Sequence, residues 1–150
     1  MGKKESRIIS NALYFEEVAY QLRAGKEVCI RVKGNSMLPF IKSGDRVLLV
    51  SYRSDRLFLG ANILAKYDGN FVFHRYVGQK NGNIVLAGDG NLVLQEYILD
   101  SDIIAIGLLH YPDESDATLN IDNRWKRMRG MIWYHLRIVR RLFASLKRIF

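Results

Sequence analysis

Cysteine is nearly missing from this chain, with Cys29 the only one among 150 residues. An internal disulfide is therefore impossible, and a zinc site built on cysteines is excluded. A lone thiol suits a reducing compartment. Proline occurs twice, at Pro39 and Pro112, so no proline-rich linker is present. No uncharged apolar stretch reaches the roughly 18 residues of a transmembrane helix. The first residues are charged and no apolar run of signal length follows, so no secretory leader is read. Metal-ligand spacings of the His-x-x-x-His kind, a Walker loop and a dinucleotide fingerprint are all missing. Gly88-Asp89-Gly90-Asn91 is too short for a calcium loop. The expectation is a protein with no cofactor and no metal, placed in the cytoplasm or peripherally on a membrane.

Acids are missing from one end. Residues 124–150 carry nine of the 23 Lys and Arg residues and none of the 15 acids. The rest is close to neutral, so the net charge of +8 belongs to the tail. That distribution does not describe a whole-protein nucleic-acid binder. What remains is globular: 49% of residues are apolar, and the length suits one domain with one core.

Residues 10–24 read as a helix. Ser10 caps it, Glu16 and Glu17 favour its early part, and Gly25 stops it. Leu13, Tyr14, Val18 and Leu22 form its apolar face. One short helix is not a helix-turn-helix. From Glu27 onward the pattern is β: Val28, Ile30 and Val32 alternate with Cys29, Arg31 and Lys33. Further strands are predicted over 47–52, 62–67, 71–77, 84–87 and 103–111. Asp68-Gly69 and Asn81-Gly82 supply hairpin turns. Six short strands with such turns predict a mainly β fold, a coiled and partly barrel-like sheet.

The least ordinary turn follows the first strand: Val32-Lys33-Gly34-Asn35-Ser36-Met37-Leu38-Pro39-Phe40-Ile41, closing with Gly44-Asp45. Gly34 permits a tight turn and Pro39 forbids a helix or central strand. A hydroxyl is thus held at a strand end, flanked by apolar Met37, Leu38 and Phe40. On composition alone this is a surface turn; on a rigid scaffold it is also a place for chemistry.

This stretch resembles the nucleophile box of type I signal peptidases and LexA-like self-cleaving repressors. Phe73-His74-Arg75-Tyr76 resembles the box that carries their general base, and Ala87-Gly88-Asp89-Gly90-Asn91 resembles their late Gly-Asp-Asn box. The resemblance spans roughly residues 27–111 and implies the coiled β fold of that group. It also implies a serine endopeptidase acting on an extended peptide or protein precursor of signal- or leader-peptide type, with small residues before the cut. Most bacterial signal peptidases carry lysine where this chain has His74. The chain is similar instead to the histidine-type endoplasmic-reticulum and sporulation variants. The expectation is that it carries neither the repressors' DNA-binding domain nor the bacterial enzymes' membrane anchor. A peptide-binding module of the same fold, tethered by its tail, is the alternative.

Serine needs a neighbouring base to act as a nucleophile. The resemblance implies Ser36 as nucleophile and His74 as base. His110 and His135 lie outside the boxes. Strand phase puts His74 and Arg75 on opposite faces, which gives Arg75 a structural role. Asp89, between Gly88 and Gly90, is the candidate to orient His74. Histidine-type relatives often carry another acid about six positions later; Gln95 stands there, with Glu96 beside it. The Ser36 backbone N–H is the natural oxyanion donor. Gly34 lacks the hydroxyl that bacterial relatives often supply, which leaves Asn35 or another backbone N–H. Gly34, Asn35, Met37 and Pro39 are expected to position substrate or oxyanion.

The domain plan is a flexible N-terminus over 1–9, a catalytic-type domain over 10–111, an acidic linker over 112–123 and one basic amphipathic helix over 124–150. Trp125, Ile132, Val139 and Leu146 lie on its apolar stripe. Flanking Arg and Lys make an interfacial helix facing an anionic membrane the expected partner, ahead of packing on the β domain or specific nucleic acid.

Overall fold

The computed structural model describes residues 11–150, so Ser10 and the flexible stretch expected over 1–9 lie outside the described residues. Helix α1 spans Asn11–Arg23 and lays Val18 and Leu22 against the sheet. Eight strands follow: β1 (Val28–Arg31), β2 (Arg46–Ser51), β3 (Asn62–Tyr67), β4 (Asn70–Lys80), β5 (Asn83–Ala87), β6 (Glu96–Ile98), β7 (Ile103–Tyr111) and β8 (Leu119–Asn120). Helices α2 (Arg124–His135) and α3 (Arg137–Ile149) end the chain.

All strand pairs are antiparallel, in the order β1-β2-β7-β3-β4-β5-β6, with β8 added to the end of β7. The sheet does not close into a barrel; β1 and β6 end the order. The β3–β4 and β4–β5 hairpins turn at Asp68-Gly69 and Asn81-Gly82. All four residues have positive φ, as a two-residue turn matched to strand twist requires.

Two cores lie on the two faces of the sheet. Leu64, Val47, Leu49 and Met37 join α1 in one; Ile63, Ala65, Leu86 and Ile106 build the other. Adjacent Ile63 and Leu64 are both fully buried, on opposite faces, which makes β3 the central strand of the packing.

Two expectations are corrected. The composition predicts a linker over 112–123, but β8 pairs with β7 there and Ile121 is buried. The periodicity predicts one helix over 124–150; the chain breaks into two at Leu136, between α2 and α3. Arg140 Nη2 donates to the Trp133 carbonyl at 3.2 Å and satisfies that acceptor at the break.

Candidate active site

The loop between β1 and β2 is pinned at both ends. Val32 N–H donates to the Asp45 carbonyl and Gly44 N–H to the Val32 carbonyl, each at 2.8 Å. Met37 and Ile41, both about fully buried, anchor it to the core, and the Leu38–Pro39 peptide is cis. Asp45, also buried, ties the loop to β7. Its Oδ2 accepts from Lys42 N–H at 2.9 Å and meets His110 Nε2 at 2.8 Å, while Oδ1 accepts from Asp113 N–H at 2.9 Å. Half-buried Ser36 therefore rides on a rigid turn.

The Gly88-Asp89-Gly90 turn after β5 packs directly on that loop. Gly90 N–H donates to the Ser36 carbonyl at 2.9 Å. A Cβ on Gly90 would stand 2.7 Å from the Asn35 carbonyl oxygen. One on Gly88 would stand 2.6 Å from the Ser36 carbonyl oxygen and 3.2 Å from His74 Nε2. Only glycine permits these approaches. The Ser36 main chain and the His74 ring thus both lie against Gly88. Among the described residues, no hydrogen bond joins the Ser36 hydroxyl to His74.

His74 is buried on β4, and its Nδ1 lies 3.0 Å from Oε1 of buried Glu96 on β6. The contact lacks the alignment of a full hydrogen bond, and Glu96 Oε2 has no partner in its buried position. A carboxylate accepts only, so it favours the tautomer with the proton on Nδ1 and leaves Nε2, the nitrogen near Gly88, as the ring's acceptor.

Asp89 does not orient His74. Its carboxylate forms a bidentate pair with Arg75, Nε to Oδ1 at 2.7 Å and Nη2 to Oδ2 at 2.6 Å, and both side chains are buried. Burial lifts the Asp89 carboxyl above its ordinary range, against the pull of Arg75. Arg75 Nη1 also donates to the Gly60 carbonyl at 2.6 Å. The strand phase that separates His74 from Arg75 explains why two acids are needed: each face has its own. Glu96 was legible only as a neighbour of Gln95; its pairing with Leu86 in the β5–β6 ladder brings it to His74. The side chain of Gln95 instead bonds the Tyr134 hydroxyl.

Helices α2 and α3 brace both loops. Trp133 Nε1 and Arg140 Nη1 donate to the Asp89 carbonyl at 2.8 and 3.1 Å. Phe40, from the Ser36 loop, meets Trp133 edge-on at 6.1 Å and carries Arg129 at 4.5 Å over its ring. Nothing in the spacing of Trp133 pointed to this role.

Lys66 is paired with Glu16 on the surface at 2.8 Å, and His135 is exposed on α2. Met37 is core, while Gly34, Asn35 and Pro39 are exposed around Ser36. Trp125, Ile132, Val139 and Leu146 are all exposed. Among the described residues, no group of His, Cys, Asp and Glu is placed to hold a metal, and no helix is long and apolar enough to cross a membrane.

Residues 3–108 match the model of the Peptidase S24-like family. The chain belongs to the Peptidase S24-like family. The match takes in Ser36, His74, Asp89 and Glu96 and stops within β7, before β8, α2 and α3. A comparison with curated proteins finds no match at a significant level. For this Peptidase S24-like chain, family and fold together support peptidase chemistry at the coarse level and a mainly β architecture.

Proposed function

We propose that this protein is a serine endopeptidase that cleaves a peptide or protein precursor of leader- or signal-peptide type. One observation carries the reading: His74 has a buried carboxylate at Nδ1 and directs Nε2 toward the Gly88 turn, where the Ser36 loop packs. In the reaction His74 Nε2 takes the Ser36 hydroxyl proton as Oγ attacks the scissile carbonyl. The C–N bond then breaks, the leaving amine receives that proton, and water repeats the sequence to free Ser36. Glu96 holds the imidazolium that forms between the steps. The Ser36 backbone N–H is the proposed oxyanion donor; with Gly34 in place of a hydroxyl residue, stabilisation rests on backbone groups. Strand β1, which among the described residues has a neighbour on one side only, leads straight into the Ser36 loop and is the edge an extended substrate would join.

The missing Ser36–His74 hydrogen bond favours a second reading, a module that binds such a peptide without cutting it. In apo enzymes this bond is often long and tightens only with substrate. Incubation with a peptide library carrying small residues before the cut, read by mass spectrometry, separates the two. The peptidase yields products that Ser36→Ala does not. Near-normal turnover by Ser36→Ala overturns the mechanism, and binding without products establishes the module.

A further inference from the structure

Helix α3 collects its apolar side chains on one side, and among the described residues nothing covers that side. At about 100° per residue, Ile138, Val139, Leu142, Phe143, Leu146 and Ile149 fall within a sector of about 140°. They are 46% to 74% exposed. Arg137, Arg140, Arg141, Lys147 and Arg148 fill the opposite side, and no acid interrupts them.

The protein holds α3 by its cations. Arg137 lies 4.4 Å over the Tyr134 ring, and Arg140 lies 4.1 Å over Trp133 while donating to the Asp89 carbonyl. The two helix residues that are half-buried are these two arginines; every other residue of α3 is exposed. Among the described residues the apolar sector therefore has no partner. Exposed Trp125, Met128 and Ile132 carry the bare stripe back along α2.

We infer that α3, with this stripe of α2, docks on an anionic lipid surface. The helix lies in the plane of the interface, its apolar sector at the headgroup–acyl boundary and Arg141, Lys147 and Arg148 against lipid phosphates. Its 13 residues give a length of about 20 Å, short of the roughly 30 Å hydrocarbon core, so it lies flat rather than spanning. A second copy would cover the apolar sector but would bring two acid-free basic helices together. A nucleic acid would satisfy the cations and leave Phe143, Leu142 and Ile149 in water. An anionic bilayer answers both chemistries at once. Because Trp133 and Arg140 grip the Asp89 carbonyl, the Ser36 loop travels with the helix to the lipid surface.

The test is co-sedimentation of the full-length protein with vesicles of phosphatidylcholine alone and of phosphatidylcholine mixed with phosphatidylglycerol. Each basic residue at an anionic leaflet contributes about fivefold to partitioning. Binding should be at least about tenfold stronger to the mixed vesicles and should weaken with salt. Leu142→Asp with Phe143→Asp, and separately Arg141→Glu with Lys147→Glu, should each cut binding by about tenfold or more while circular dichroism stays that of the wild type. Ser36→Ala should bind as wild type, which separates this surface from the peptidase reading. No binding, equal binding to both vesicles, or wild-type binding by either double variant overturns the proposal. So does a dimer in sedimentation velocity that Leu142→Asp with Phe143→Asp dissolves, or duplex DNA binding that replaces lipid binding.

Discussion

Glu96 Oε1 lies 3.0 Å from His74 Nδ1, and both side chains are buried. The two residues come from β4 and β6, which β5 separates in the sheet. In the proposed mechanism this pairing leaves the second ring nitrogen for Ser36 and makes Glu96 a positioning residue rather than a reacting one.

Glu96→Gln is expected to lower kcat by about 10²–10⁴-fold with little change in KM, because the amide no longer enforces the Nδ1–H tautomer or stabilises the imidazolium. Glu96→Asp should recover part of the loss. Steady-state kinetics on a peptide cleaved by the wild type checks this. An unchanged kcat in Glu96→Gln would show that His74 is oriented by something else.

Arg75 and Asp89 form the buried ion pair of the opposite face. Arg75→Met leaves the Asp89 carboxylate buried without its partner and should destabilise the protein by about 3–5 kcal/mol in urea denaturation. The double change Arg75→Met with Asp89→Leu removes both charges and should recover part of that loss. If the single change costs nothing, the pair is not what secures this turn.

Gly130 is the point at which α2 crosses Arg75. A Cβ there would stand 2.2 Å from the Arg75 guanidinium, which cannot swing away while it holds Asp89 and the Gly60 carbonyl. Gly130→Ala should therefore destabilise by about 1–3 kcal/mol, even though alanine is the better helix former. A stabilised Gly130→Ala variant would mean that α2 does not rest on the site loops.

Asp45 contributes to stability toward acid. Burial alone would raise its carboxyl, but the Asp113 and Lys42 N–H groups and His110 outweigh it and hold the group below the ordinary carboxylate range. A depressed carboxyl gives stability that is complete above its unfolded value, about 3.9, and lost as pH falls through the folded value. Asp45→Asn should cost about 1.5–3 kcal/mol at neutral pH and flatten the loss of stability below about pH 4. Urea midpoints across that range report it; an unaltered acid slope would contradict the assignment.

Much of the fold is legible because it rests on local signals. Alternation marks β1, and Asp68-Gly69 and Asn81-Gly82 mark two hairpins whose positive φ angles the structure contains. β6 and β8, at three and two residues, are too short for a period to register. Ser36 and His74 stand in recognisable boxes, whereas the choice between Asp89 and Glu96 depends on strand phase and ladder register. Gly130 reads in sequence as a weak spot in a helix; only packing reveals the arginine that needs the space. The break at Leu136 is equally tertiary, since the side chain that satisfies the Trp133 carbonyl comes from Arg140, a full turn and more ahead.

Labelling of Ser36 by a fluorophosphonate, located by mass spectrometry of the digested protein, tests the Ser36–His74 mechanism most directly. The wild type should be modified at Ser36, with the rate strongly reduced in His74→Ala and labelling abolished in Ser36→Ala. Equal labelling of wild type and His74→Ala, or modification at another residue only, would contradict a serine nucleophile activated by His74.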